Sequence, residues 1–187
     1  MVDPDTFLGV VRHHHPISGC DPRFTQGGAM TQRKPQTAYD TANIHTNVES
    51  LEALVYSTMY TYLRNDLGLS ESVAAERAAR EASGTQAIAV CDECEEAGLR
   101  FDGNCVLDLG AGLGGLAVEI ARRGAKLIAI EPGTGWRKVA AARLAALGNG
   151  TVIEAVGEHL PFEDNSIDLI VCLQVLEHVS NPRLVIQ

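Results

Sequence analysis

The stretch that decides the fold is Val106-Leu107-Asp108-Leu109-Gly110-Ala111-Gly112-Leu113-Gly114-Gly115. The apolar run at 105–109 has the length and composition of a buried strand, and a helical pattern covers 113–123 until Gly124 stops it. Between them the glycines let the chain turn sharply and bring bare backbone close to a ligand. The alternation then repeats. Residues 126–130 read as a strand. Thr134 caps a helix whose Trp136, Val139, Ala140, Leu144 and Leu147 share a face, and Gly148 lies just past its end. Residues 151–156 and 167–173 are two more strands. Strands and helices alternating at this spacing predict an α/β fold, a parallel sheet with helices on both faces, whose ligands bind beyond the carboxyl ends of the strands.

The glycine spacing alone fits two cofactors. Gly110-x-Gly112-x-x-Gly115 matches a dinucleotide loop, and Gly110-x-Gly112-x-Gly114 matches the loop that binds S-adenosylmethionine. Asp108 separates them, because a carboxylate just before the first glycine repels a pyrophosphate and favours a sulfonium and an ammonium. An acid bonded to turn N–H groups is the plainer alternative for Asp108. Glu131 follows 23 positions after Asp108 at the end of the next strand, where an acid accepts hydrogen bonds from both ribose hydroxyls. NAD-binding folds use the same device, but a 2′-phosphate would be repelled.

Three blocks together carry a resemblance: VLDLGAGLGG at 106–115, GEHLPFEDNSIDLIVC at 157–172 and LQVLEHVSNP at 173–182. Over roughly residues 85–187 the chain resembles the class I S-adenosylmethionine-dependent methyltransferases, in the branch whose fourth parallel strand runs into Val-Leu-Glu-His-Val. The resemblance implies a Rossmann-like core. Asp108, Gly110, Ala111, Gly112 and Gly114 would form the methionine-end loop, and Glu131, followed by Pro132, would hold the ribose. Many members place an Asp against adenine where this chain has Val156-Gly157-Glu158, so adenine would rest on backbone at Gly157 and Glu158 with packing from Leu160. Leu173 and Gln174 would pass the methionine portion. His178 is the candidate general base, although its segment more often shapes a turn, and methyl transfer can proceed by in-line positioning without a base. Relative to the family fold the chain stops about three strands early, inside a helix that Asn181 and Pro182 begin, which would leave strand 167–173 as an open edge.

The remaining sequence bounds the partners. With 15 basic against 24 acidic residues the net charge is −9, and Lys and Arg occur only in short pairs, which argues against nucleic acid. No apolar run approaches the ~20 residues of a membrane span, and the start MVDPDTFLGV has no signal-peptide form, so the expectation is a cytoplasmic protein. Five cysteines, at 20, 91, 94, 105 and 172, have no disulfide rhythm, and the pair Cys91-x-x-Cys94 lacks a second ligand pair, so no metal is expected. Residues 1–37, including His13-His14-His15 and Met30, read as loose, residues 38–98 as an amphipathic helical cover, and 99–187 as the core. The expected activity is methyl transfer from S-adenosylmethionine to a small-molecule, lipid or quinone-like acceptor. A fragment of an NAD-dependent oxidoreductase and a non-catalytic methyltransferase-like remnant are the rivals.

Overall fold

The computed structural model describes residues 8–12 and 48–186. Three helices, α1 (Val48–Asn65), α2 (Glu71–Ser83) and α3 (Thr85–Glu96), precede an alternation of β2 (Cys105–Leu109), α4 (Gly115–Arg122), β3 (Lys126–Ile130), α5 (Thr134–Leu147), β4 (Thr151–Ile153) and β5 (Leu169–Leu173), with a final short α6 (Pro182–Val185). Strand β1 (Leu8–Arg12) comes first in the chain. The sheet order is β1-β5-β2-β3-β4. The four strands from β2 to β5 run parallel, and β1 lies antiparallel on β5, with Leu8 opposite Leu173 and Arg12 opposite Leu169.

Strand β1 differs from the expectation that residues 1–37 are loose, and the edge expected to be open at β5 carries a partner strand. Leu8-Gly9-Val10-Val11-Arg12 is short and rich in β-branched residues, a composition that suits a pleated ladder once a free edge is available. The histidine triplet and Met30 lie outside the described residues.

Alternation along β2 sends Cys105, Leu107 and Leu109 to one face of the sheet and Val106 and Asp108 to the other. On the Val106 face, Leu116, Ile120 and Ala121 of α4, Val90 and Cys91 of α3 and Leu144 of α5 build the larger core cluster. The opposite face is covered mainly by loop residues, Leu160, Phe162, Val175 and Leu176, with Val185 of the four-residue α6. Helical cover on that face is therefore thinner than the alternation predicts.

Local signals set several boundaries. Ser70 caps α2, its Oγ accepting from the Val73 N–H at 3.4 Å. Gly148 ends α5 in the left-handed conformation, at φ +73°. Thr134 is the first residue of α5 and not its cap, a place taken by Gly133. Strand β4 stops at Ile153, three residues short of the expected end, and Val156 instead bridges to His159.

The helical cover is fastened to the core by charge as well as packing. Arg123, after α4, donates to Asp92 at 2.6 Å, to Glu119 at 2.9 Å and to Glu95, joining α3 to α4. Val55 and Met59 of α1 pack with Leu113, Trp136 and Val139. Cys91, Cys94 and Cys172 are buried free thiols, whereas Cys105 is disulfide-bonded, a pairing the cysteine spacing gave no sign of.

Candidate functional site

The site lies where β2 and β3 end side by side. Parallel pairing sets Asp108 opposite Ala129 and Leu109 opposite Ile130, so the glycine loop and Glu131 leave the sheet at one level. The Gly110 and Ala111 N–H groups both donate to the Ile130 carbonyl, at 2.9 and 2.8 Å, strapping the loop across the end of β3. The Gly114 N–H closes the turn onto the Ala111 carbonyl at 2.8 Å. Gly110 and Gly114 both have φ near +80°, where L side chains are strained. They also have no room. A Cβ on Gly110 would stand 2.3 Å from Val175 Cγ2, and one on Gly114 would stand 2.9 Å from the Ala140 backbone.

Glu131 faces this loop. Its Oε2 accepts from the Gly112 N–H at 2.9 Å and its Oε1 from the Gly133 N–H at 2.7 Å. The loop amides of 110, 111, 112 and 114 are thus committed to the protein's own oxygens, one of them to a carboxylate. An anion such as pyrophosphate needs those donors free, and here it would also meet two acids.

Asp108 is 2% exposed, and among the described residues its Oδ2 has no hydrogen-bond partner. Burial pushes its carboxyl up from 3.8 to about 7, with the charges of Glu131 and Glu81 adding to the rise and a hydrogen bond from the Ala117 backbone opposing it. The two carboxylate oxygens of Asp108 thus have different surroundings. One oxygen meets the first turn of α4, and the other is an orphaned buried acceptor that a cation or a donor would satisfy.

Two aromatic rings flank the loop. Trp136 lies against Gly112, 3.5 Å from where its Cβ would be, and Tyr62 of α1 meets Trp136 edge-on, with ring centroids 5.0 Å apart. Arg143 donates to the Leu113 carbonyl at 3.1 Å and pairs with the half-buried Glu81 of α2 at 3.5 Å, a second tie from cover to loop.

The later residues of the sequence reading are placed around this centre. Pro132 is exposed. Gly157 is buried, with Val185 and Leu109 closing on the position of a Cβ at 3.2 and 3.5 Å. The Glu158 carboxylate accepts from the Ser180 and Asn181 N–H groups at 2.8 and 3.3 Å, so it ties its loop to the start of α6. Leu173 ends β5, and Gln174 beyond it is exposed at φ +54°. His178 is exposed in a turn closed by its own N–H on the Val175 carbonyl at 2.8 Å. Among the described residues no group of three His, Cys, Asp or Glu converges as a metal site. Cys91, at 0% exposure, has its thiol pushed up to about 12 by burial, the state of an inert core cysteine.

Sequence reasoning missed Arg137, which with Lys138 counts there only as one of the short basic pairs. The residue is buried, 6% exposed. Its signal was the helical spacing to Ala140 and Leu144, both on the buried face of α5.

Residues 107–187 match the family model described as "Methyltransferase domain". The ubiquinone biosynthesis O-methyltransferase of Cronobacter sakazakii is 39% identical over 97 residues, covering 50% of this chain and 39% of that protein. An uncharacterized methyltransferase of Mycobacterium avium is 38% identical over 80 residues, 43% of this chain and 31% of that one. In fold, a solved structure from Methanococcus maripaludis, described as a proposed S-adenosyl-L-methionine-dependent methyltransferase, aligns with a TM-score of 0.52 at 15% identity, over 75% of this chain and 56% of that one. Residues 107–187 are therefore similar to a methyltransferase domain, and the fold is the Rossmann-like one of the Methanococcus structure. It spans less than half the length of the curated relatives named above.

Proposed function

We propose that this site binds S-adenosylmethionine and that the protein transfers its methyl group to a small-molecule, lipid or quinone-like acceptor. The observation that carries the reading is the pair of acids around a glycine loop whose amides are already engaged: Asp108 with an orphaned buried oxygen, and Glu131 on the Gly112 N–H. Such a surface favours a ligand that is cationic at one end and hydroxylated at the other, and disfavours a dinucleotide phosphate. The cofactor supplies an electrophilic methyl group on a sulfonium sulfur.

In this reading Asp108 with Gly110, Ala111, Gly112 and Gly114 receives the methionine end, and Leu173 and Gln174 pass beside it. Glu131 and Pro132 hold the ribose. Adenine rests on the backbone of Gly157 and Glu158, whose carboxylate is already committed to Ser180 and Asn181. The protein's work is then to orient acceptor and methyl group in line, which itself supplies much of the rate. Exposed His178 is retained as the weaker candidate for a base. The net charge of −9 supports a small acceptor over nucleic acid, and among the described residues no helix is long and apolar enough to cross a membrane. We place the protein in the cytoplasm.

Trp136 is the single tryptophan of the chain and lies against Gly112, so its fluorescence reports on the loop directly. Titration with S-adenosylhomocysteine should change its emission, NADH should not, and Asp108→Ala should abolish the response. A response to NADH alone overturns the reading. Turnover is read separately, by labelled methyl incorporation into phenolic and quinol acceptors. No transfer despite cofactor binding would favour the non-catalytic remnant.

A further inference from the structure

Arg137 stands where local rules disfavour it. It occupies the first turn of α5, the positive end of the helix dipole, and its guanidinium is buried. What compensates is a set of contacts to one turn. Nη1 donates to the Glu131 carbonyl at 3.1 Å and to the Pro132 carbonyl at 2.9 Å, and the Arg137 backbone N–H donates to the Gly133 carbonyl at 2.8 Å. One residue thus takes three consecutive carbonyls of the turn that carries Glu131. Nη2 is fixed in turn by Glu154 Oε2 at 2.6 Å, just past β4. With its carbonyls drawn to Arg137, the same turn presents the Glu131 carboxylate to the Gly112 and Gly133 N–H groups. A residue kept against both its dipole preference and its solvation marks a place where a particular geometry is being held.

We infer that Arg137 is a positioning residue, fixing the 131–133 turn so that the Glu131 carboxylate points to the ribose hydroxyls of an adenosyl ligand, with Glu154 as its anchor. The ligand half of this statement rests on the S-adenosylmethionine reading of the site. The fork of the guanidinium is what spans two carbonyls and a carboxylate together, and a lysine ammonium on its flexible stem does not reproduce it.

The test uses the whole chain with Arg137→Lys and Glu154→Gln, and two ligands, S-adenosylhomocysteine and its 2′-deoxy analogue. Arg137→Lys should weaken S-adenosylhomocysteine binding roughly tenfold and the 2′-deoxy analogue less than about twofold, because only the first uses both hydroxyls. Glu154→Gln should act in the same direction with smaller effect. Its side chain is 68% exposed, so this variant keeps the test alive if Arg137→Lys does not fold. In the ligand-free protein, the Gly112 and Gly133 amide resonances should move in Arg137→Lys towards their values in Glu131→Gln. Equal weakening of both ligands, unchanged affinity for both, or unmoved amides overturns the inference. If the wild type binds neither ligand while the amides move, the cofactor reading falls and the positioning of the turn stands.

Discussion

Asp108 makes the folded protein's stability depend on pH in an uncommon direction. Its carboxyl is raised in the fold from 3.8 to about 7, mainly by burial. A group raised in this way contributes stability that is complete below the unfolded value, near pH 4, and is lost as pH rises through about 7. At ~1.36 kcal/mol for each pH unit, the full loss on passing from acid to alkaline solution is about 4 kcal/mol. That is a large part of the roughly 5–15 kcal/mol by which typical domains are stable. Asp108→Asn keeps the shape and removes the titration. Calorimetric unfolding of both proteins between about pH 5 and pH 8.5 should show wild type losing stability relative to the variant as pH rises. The difference reports Asp108 together with its coupling to Glu131 and Glu81, while titrating groups that do not act on it are common to both chains. A constant gap across the range would refute the buried-acid argument. In the cofactor reading the ionised form is the one that takes a cation, so S-adenosylmethionine should bind more tightly as pH rises through about 7.

The other expectations are more local. Gly110→Ala should cost roughly 2–4 kcal/mol in chemical denaturation, from left-handed backbone strain plus the clash with Val175. Adding Val175→Ala should recover only the clash, and full recovery would refute the backbone share. Tyr62→Ala should cost about 2 kcal/mol or less and shift Trp136 emission to the red, because it removes the edge-on ring and part of the α1 cover. An unshifted spectrum would show that the aromatic contact does not shield Trp136. Cys91 should resist iodoacetamide in the native protein at mildly alkaline pH and react on unfolding, as mass spectrometry would read. Rapid native labelling would contradict both its burial and its raised thiol.

What was legible in the sequence was mostly local in origin. Gly148 marks a helix end because a cap acts within a few residues, and β2 and β3 show as apolar runs because both faces of those strands are buried. Asp108 and Glu131 were legible because the ends of neighbouring parallel strands meet whatever the loops between them do. The rest depends on contacts distant in sequence. Pairing of β1 with β5 joins residues more than 150 positions apart, and the Glu158 contact with Ser180 spans 22. No periodicity announces either. Arg137 was hidden for another reason. Its residue type signals exposure, and only its place on the buried face of α5 contradicts that.

The contact between Val175 and Gly110 has a consequence for the order in which ligands act. Val175 follows the left-handed Gln174 on the strand exit from β5, and in the proposed reading that exit borders the path of the methyl group. Because the Val175 side chain occupies the place of a Cβ on Gly110, a shift of the exit toward the glycine loop meets its backbone. In the proposed reading, an acceptor that displaces the 174–178 turn would change the affinity for the cofactor, and linkage would then require the cofactor to change affinity for the acceptor by the same factor.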